Sequence, residues 1–207
     1  YFRSEKTSKK LHQIMNIGLY FGSFNPIHVG HLIIAQYMIQ RDDIDAVWFV
    51  VSPQNPFKNK STLLQDYHRL ALVRIATEDE PKFKAEDIEF GLPQPSYTID
   101  TLTYLKEKHP DKNFSLLMGE DNLRGFNKWK NYEQILANHH LFVYPRIEGE
   151  PIEHTLKDHA SVTFCEDVPL MKISASYIRQ QIKEGKSVDF LLNEKVAKYA
   201  DEMNFYR

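Results

Sequence analysis

Short runs of strand-forming residues alternate with helical stretches along most of the chain, and this alternation restricts its fold more than any other feature. The run Ala46–Val51 is apolar at every position, which is typical of a strand covered on both faces of a sheet. Similar patterns predict further strands at 17–21, 83–90, 114–118, 141–144 and 162–165. Helices are predicted at 31–40, 132–138, 174–183 and 190–203, with two others that begin at Ser96 and at a capping Asp66. The alternation predicts an α/β fold, a Rossmann-like doubly wound parallel sheet with a small helical part at the C-terminus.

The length of 207 residues fits one domain. Met15 lies directly before the first predicted strand, so we expect residues 1–14 to be an extension outside the fold. Residues 15–207 then form a single domain, in which residues 174–203 are a helical subregion.

Three loops follow predicted strands and should share one edge of the sheet. They are the loops at 22–30, 52–61 and 119–130. Parallel strands end at the same edge, and doubly wound sheets bind ligands there. We therefore expect the functional site at this edge.

The charge balance and the single cysteine narrow the function classes. The chain has 26 Lys and Arg against 28 Asp and Glu, a formal net charge of −2, which excludes a global basic field for nucleic acid but allows a local cationic site. Cys165 is the only cysteine, so no disulfide can form within the chain, and a reducing compartment, the cytoplasm, is favoured. The longest apolar run, 46–51, is too short to span a bilayer. We expect neither a nucleic acid nor a membrane as partner.

The loop after the first predicted strand carries the clearest chemical motif, G-S-F-N-P-I-H-V-G-H at 22–31. Gly22 permits a tight turn, and Gly30 removes a side chain where a ligand could approach. His28 and His31 can lie on one side of the helix start, whose N–H groups attract anions. The spacing fits neither a Walker loop nor G-x-G-x-x-G. Two histidines at this spacing could also cap a helix or belong to a metal site, although no third ligand has a suggestive spacing.

A second segment with similar chemistry lies near the C-terminus, I-S-A-S-Y-I-R at 173–179. Ser174 is a natural N-cap, Ser176 lies in the first helical turn, and Arg179 projects from the same helix start. Two hydroxyls and a guanidinium at a helix N-terminus can bind phosphate. Taken alone, the segment is more often an ordinary capped helix.

Together the two segments resemble the signatures G-x-F-x-P-x-H-x-G-H and I-S-S-T-x-I-R of the nucleotidyltransferase superfamily. Every fixed position of the first signature is present. In the second, Ala175 replaces the usual second serine, and Ser176 stands where Ser or Thr is expected.

Several families of this superfamily share the two signatures, so the residues between them must indicate which family the chain resembles. Lys58 follows the second predicted strand and would reach the ligand edge, although a loop lysine is usually only solvated. Asp121, two residues after Gly119, could accept hydrogen bonds from ribose hydroxyls, although loop aspartates more often form turns.

Two further positions could recognise a small ring. Thr98 lies in P-S-Y-T-I-D-T-L at 95–102, where a helix start offers polar groups for a carboxylate or amide, or is simply capped. Trp129 offers a flat face for stacking, although most tryptophans fill core. With these segments, the chain from about residue 17 to about residue 192 resembles the bacterial nicotinate-nucleotide adenylyltransferases.

That resemblance implies transfer of the adenylyl group of ATP to nicotinate mononucleotide, giving deamido-NAD and pyrophosphate in NAD biosynthesis, without a covalent intermediate. It implies Mg²⁺, held mainly by substrate oxygens and water rather than by a protein cage. The implied catalytic residues are His28, His31, Lys58 and Arg179. The implied ATP-binding residues are Gly22, Ser23, Phe24, Gly30, Gly119, Asp121, Ser174, Ser176 and Ile178. The implied nicotinate mononucleotide-binding residues are Thr98 and Trp129.

Other functions remain open at this point. A sister enzyme would use nicotinamide mononucleotide or phosphopantetheine as the acceptor, and a nucleotide-binding module without catalysis would keep the same fold. A class I aminoacyl-tRNA synthetase domain shares the His-x-Gly-His pattern, but a K-M-S-K-S loop is absent from this sequence. The chain could also assemble as a homo-oligomer.

Overall fold

A computed structural model describes residues 14–53, 63–147 and 156–207 of the chain. Its strands are β1 (Met15–Gly22), β2 (Ala46–Val51), β3 (Phe83–Glu86), β4 (Lys112–Gly119), β5 (Leu141–Tyr144) and β6 (Val162–Phe164). Its helices are α1 (Val29–Met38), α2 (Asp66–Thr77), α3 (Thr98–Lys108), α4 (Glu120–Leu123), α5 (Tyr132–Asn138), α6 (Ala175–Lys183) and α7 (Glu194–Glu202). Short 3₁₀ turns lie at Ile88–Gly91 and Phe126–Lys128.

The six strands form one sheet in the order β3-β2-β1-β4-β5-β6, and every neighbouring pair is parallel. The strand order reverses between β1 and β4, which makes a crevice at their carboxyl ends. The predicted α/β sheet is therefore confirmed. The expected ligand edge is the one at which β1, β2 and β4 end.

Different helices cover the two faces of the sheet. Along β1, Leu19 packs into one apolar cluster and Tyr20 into the other, because alternate side chains of a strand point to opposite faces. The cluster on the Tyr20 face includes buried residues of α1, α2, α6 and α7, and the cluster on the Leu19 face includes buried residues of α3 and α5. The C-terminal helices thus share a core with the helix that follows β1.

Several predicted boundaries were wrong. β3 ends at Glu86 rather than at residue 90, because Ile88 and Glu89 are both buried in a 3₁₀ turn, which an alternating strand would not allow. α3 begins at Thr98 rather than at Ser96. The last helix begins at Glu194 rather than at residue 190.

The predicted cap of α2 also differs. Gln65 occupies the N-cap position, and Asp66 is the first helical residue. The Asp66 carboxylate accepts a hydrogen bond from the Arg69 guanidinium at 2.6 Å instead of capping the helix.

The predicted extension at residues 1–14 lies outside the described residues except for Ile14, which is exposed. The single-domain organisation of residues 15–207 stays a prediction. Within the described ranges, none of the helices is both long and apolar enough to cross a membrane.

Arg69 of α2 is completely buried and joins the loops that follow β1 and β2. Its guanidinium donates hydrogen bonds of 2.5 to 3.0 Å to the carbonyl groups of Ser23, Ser52, Pro53 and Leu64. A buried cation is tolerated only where such acceptors replace its water. Arg69 thus joins Ser52, Pro53 and Leu64 to the loop after β1.

We expect Arg69→Lys to lower the free energy of unfolding by about 2–4 kcal/mol, because an ammonium cannot reproduce the planar fork and leaves buried carbonyls unpaired. Chemical denaturation measures this change. The matched control is Arg74→Lys on the same helix, where an exposed guanidinium makes a 3.3 Å ion pair with Asp87 and the expected change is within about 0.5 kcal/mol. Equal effects of the two substitutions would contradict this role of Arg69.

Candidate active site

The loop after β1 is built around a buried phenylalanine. Phe24 has φ +44°, a left-handed conformation that costs a non-glycine residue roughly 1–2 kcal/mol. Its ring packs edge-on against the His31 ring, with 5.2 Å between centroids, and lies over Gly22. A Cβ atom at Gly22 would come within 2.9 Å of the Phe24 ring, so the glycine is needed for this packing. The Phe24 side chain is core, and only its main chain can face a ligand.

His28 and His31 meet at the N-terminus of α1. His28 is the N-cap residue, and its ring stacks on the His31 ring at a centroid distance of 3.8 Å. The His28 backbone N–H donates to Nδ1 of His31 at 3.2 Å. Because this nitrogen accepts, neutral His31 carries its proton on Nε2 and offers an N–H donor there.

Gly30 makes room for the His28 ring. A Cβ atom at this position would lie 3.0 Å from Nδ1 of His28, closer than ordinary packing allows. Gly30 is therefore needed for the packing of the histidine pair. The sequence had suggested only that it leaves room for a ligand.

His28 is held neutral. Burial, and secondly the positive charge of Arg146, lower the pKa of His28 from 6.5 to about 4. Its Nδ1 atom is buried and has no hydrogen-bond partner among the described residues. At neutral pH His28 can therefore serve as a hydrogen-bonding group of the site but not as a fixed cation.

Fewer N–H groups are available at the start of α1 than the sequence suggested. The Val29 N–H donates to the Leu191 carbonyl at 3.0 Å, and the His31 N–H donates to the His28 carbonyl at 2.9 Å. Of the first three helical N–H groups, only that of Gly30 lacks an acceptor among the described residues. The anion site at this helix is thus one N–H group plus the two imidazoles.

A small pocket opens beside the two histidines. Its polar lining side chains are Tyr20, His28, His31, Tyr144 and Arg146. The hydroxyls of Tyr20 and Tyr144 are 3.0 Å apart, and burial raises the pKa of both phenols, so both stay protonated. The two phenols are therefore uncharged, and Arg146 is the arginine or lysine among the lining residues of this pocket.

Arg146 is a site residue that sequence reasoning missed. It follows β5, its Nε lies 3.4 Å from Oδ1 of Asp121, and its guanidinium carbon lies 5.4 Å from the centre of the Tyr144 ring. No motif surrounds it in the sequence. Its position just after a predicted strand was the one available signal, because such positions reach the ligand edge of a parallel sheet.

Gly119 and Asp121 lie where β4 meets α4. A side chain at Gly119 would collide with the Asp121 carboxylate and with Nε of Arg146. Asp121, the predicted acceptor for ribose hydroxyls, thus lies beside Arg146. The Asp121 side chain is still half exposed, so a ligand can reach it.

The second predicted phosphate motif lies at the start of α6. Oγ of Ser174 accepts a hydrogen bond from the Tyr177 N–H at 3.2 Å, which confirms Ser174 as the N-cap. Arg179 donates to Oγ of Ser176 at 3.1 Å and to the Asn25 carbonyl at 2.8 Å. Asn25 lies three residues before His28, so the structure brings the two motifs together. Ile178 is fully buried, which leaves only its main chain for any ligand contact.

The two predicted ring-binding segments are also joined. Lys130, next to Trp129, contacts both oxygens of the Asp100 carboxylate at 2.8 and 3.1 Å and lies over the Tyr97 ring. Thr98 is the first residue of α3, between Tyr97 and Asp100. Trp129 packs on Phe126 at 5.1 Å and is partly buried.

Lys58 lies outside the described residues, so its predicted role stays a prediction. Within the described ranges, no group of three or more His, Cys, Asp or Glu side chains is arranged to hold a metal ion.

The chain is similar to known proteins over most of its length. A family model described as cytidylyltransferase-like matches residues 19–181. A Flavobacterium johnsoniae protein named "probable nicotinate-nucleotide adenylyltransferase" is 56% identical over 193 residues, which are 93% of this chain and 100% of that one. A Cytophaga hutchinsonii protein of the same name is 50% identical over 93% of this chain and 98% of its own.

The chain belongs to the nicotinate-nucleotide adenylyltransferase family. Among solved structures, a Plasmodium falciparum nicotinic acid mononucleotide adenylyltransferase complexed with NaAD has a TM-score of 0.75 at 20% identity, over 93% of this chain and 97% of that one. At this identity the likeness supports the fold alone. Nucleotidyltransferases of this kind generally use a divalent metal together with ATP.

The buried histidine of this family member should make its stability depend on pH. Unfolded His28 takes up a proton near pH 6.5, whereas the folded chain resists protonation down to about pH 4. The free energy of unfolding therefore has its full value above pH 6.5 as far as His28 is concerned. It decreases as the pH falls toward 4, by up to about 3 kcal/mol.

Thermal unfolding between pH 7 and pH 4 measures the effect. The melting temperature of His28→Gln should fall less steeply on acidification than that of the wild type. His159→Gln, which changes a histidine outside the pocket, should follow the wild-type slope. A His28→Gln slope identical to the wild type would contradict the assignment of the acid-sensitive group.

Proposed function

We propose that this chain transfers the adenylyl group of ATP to nicotinate mononucleotide, giving deamido-NAD and pyrophosphate. The observation that supports it most directly is the hydrogen bond from Arg179 to the Asn25 carbonyl at 2.8 Å. It brings together the two motifs that we propose bind the phosphates of one ATP molecule.

The reaction is an in-line displacement at phosphorus. A phosphate oxygen of the mononucleotide forms a new bond to the α-phosphorus of ATP, and the bond from that phosphorus to the α–β bridging oxygen breaks. The electron pair of that bond leaves with pyrophosphate. Because the attacking phosphate is already an anion, no covalent intermediate and no general base are required, and the protein must instead bring two anions together and neutralise them.

The histidine pair acts at the α- and β-phosphates. Nε2 of His31 donates a hydrogen bond there, because its Nδ1 is engaged by the His28 backbone. The Gly30 N–H and neutral His28 add to the same anion site without a fixed charge. Arg146 supplies the positive charge of this pocket.

The start of α6 acts at the departing β- and γ-phosphates. Ser174, Ser176 and Arg179 lie there, and Arg179 is oriented by its bonds to Ser176 and Asn25. Lys58 would add a further cation as the charge of pyrophosphate develops.

The remaining contacts hold the two nucleosides. Main-chain groups of Gly22, Ser23, Phe24 and Ile178 run along the ATP, and Gly119 and Asp121 take the adenosine ribose. Thr98 and Trp129 hold the pyridine ring, since Lys130 keeps their two segments together.

The metal would be Mg²⁺, held mainly by the oxygens of ATP and by water. This agrees with the donor set of the pocket, where Asp121 is the nearby carboxylate and is already beside Arg146. Magnesium usually keeps several waters and binds through substrate phosphates, and it neutralises polyphosphate charge when bound. We further propose that the enzyme works in the cytoplasm, which suits the buried, unpaired thiol of Cys165.

A pyrophosphate-release assay with ATP and a panel of acceptors tests the proposal. Nicotinate mononucleotide should give the highest kcat/KM, with deamido-NAD as product. A preference for nicotinamide mononucleotide or phosphopantetheine would assign the chain to a sister activity. Nucleotide binding without pyrophosphate release from any acceptor would contradict the catalytic proposal.

We expect His31→Ala to lower kcat by about 10²–10³-fold, the usual loss when one donor to transition-state charge is removed. His31→Gln should retain more activity, because its amide can place an N–H near the position of Nε2. Steady-state kinetics and a melting curve measure activity and folding in parallel. The control is His159→Ala, which should keep wild-type kinetics, and a fully active His31→Ala enzyme would remove His31 from the mechanism.

A further inference from the structure

The last residues of the chain fold back onto the body of the protein. After α7, Asn204 and Tyr206 have φ of +54° and +67°, which turns the chain sharply. Phe205 between them is buried, with its ring 4.7 Å from the His68 ring and 5.9 Å from the Tyr199 ring. Two ion pairs from Lys195 to Glu78 and Asp79 hold α7 against the end of α2. The C-terminus is thus a packed element of the structure.

This turn carries the Tyr206 hydroxyl to the loop of the histidine pair. The hydroxyl donates to Oδ1 of Asn25 at 3.0 Å, across 181 residues of sequence. Burial raises the pKa of Tyr206 well above its usual value, although the nearby Arg179 and Arg69 oppose the shift. The phenol therefore remains a hydrogen-bond donor at any pH at which the enzyme could work.

Among the described residues, three separate elements donate hydrogen bonds to Asn25. Besides Tyr206, the Leu64 N–H donates to Oδ1 at 3.2 Å, and Arg179 donates to the carbonyl at 2.8 Å. Asn25 itself is 4% exposed, and its three contacts are partly buried. Asn25 is the point at which the elements after β1, before α2 and around α6 and α7 meet.

The loop needs such external contacts. Phe24, the residue before Asn25, holds a left-handed backbone that is unfavourable for a residue with a side chain. The loop backbone is held at Ser23 by Arg69 and at Asn25 by Arg179, and Tyr206 holds the Asn25 side chain. His28 follows three residues later, so a shift of Asn25 would displace the imidazoles from the phosphates.

We propose that Tyr206 is a positioning residue for adenylyl transfer, which fixes the loop of His28 and His31 through its hydrogen bond to Asn25. It touches neither substrate, and this role rests on the proposed function. Its loss should impair the alignment of the reacting phosphates more than the binding of the nucleotides, because most binding contacts come from other segments.

Tyr206→Phe tests the role with a minimal change, since the ring stays and the hydroxyl goes. We expect kcat to fall about 5- to 10-fold, the effect of one net hydrogen bond, with KM for ATP and for the acceptor within about 2-fold of the wild type. The matched control is Tyr199→Phe in α7, whose hydroxyl has no partner among the described residues and whose loss should leave kcat unchanged. Wild-type kcat in Tyr206→Phe would overturn the proposal.

A double-mutant cycle with Asn25→Ala tests whether the effect passes through Asn25. In the Asn25→Ala background, Tyr206→Phe should cost nothing further. An undiminished 5- to 10-fold loss in that background would overturn the proposal, since Tyr206 would then act by another route.

Hydrogen exchange at residues 24–31 tests the role of Tyr206 without depending on whether the chain transfers an adenylyl group. If the wild type transfers no adenylyl group to any acceptor, the proposed function fails, and exchange still decides whether Tyr206 holds the loop. We expect exchange in this segment to be about 5- to 10-fold faster in Tyr206→Phe than in Tyr199→Phe, with equal exchange in β2. Unchanged exchange at residues 24–31 would overturn the positioning role.

Discussion

The hydrogen bond from Arg179 to the Asn25 carbonyl is the contact on which the proposed site depends most. It joins residues 154 positions apart and orients the start of α6 against the loop that begins α1. The Val29–Leu191 hydrogen bond and the Tyr206–Asn25 hydrogen bond support the same joint from two further points. Without this joint, the two motifs that we propose bind phosphate would lie on separate elements.

The motif residues of the first loop act on one another before they act on any ligand. Gly22 makes room for the Phe24 ring, and Gly30 makes room for the His28 ring. The His28 backbone in turn fixes which nitrogen of His31 carries the proton. These contacts set the geometry of the imidazoles in the folded protein, which would lower the reorganisation needed for the phosphate binding that we propose.

The sequence predicted correctly those strands and helices whose own residues form a clear apolar run or a clear helical spacing. The strand Ala46–Val51, the helix Tyr132–Asn138 and the strand Leu141–Tyr144 have the predicted bounds, because their apolar runs or helical spacing are unambiguous. The end of β3 was predicted wrongly, since the burial of Glu89 depends on its hydrogen bond with Thr101 of α3. When a carboxylate is buried through a partner far away in the sequence, the pattern of its own segment does not show that it is buried.

The candidate site also contains some residues that the sequence predicted and some that only the structure revealed. The two phosphate motifs were visible because each is a helix start with polar residues. Arg146, Arg69 and Tyr206 were not, since each acts through partners that only the folded chain brings near, such as Asp121, Ser23 and Asn25. Lone cations and phenols are too common in loops and helices for their positions in the sequence to identify such roles.

The most direct test of the account is a crystal structure of this chain with a non-hydrolysable ATP analogue. We expect one triphosphate in contact with both the His28–His31 pair and the start of α6 at Ser174, Ser176 and Arg179. A triphosphate that touches only one of these two elements, or that lies away from the carboxyl ends of β1 and β4, would contradict it.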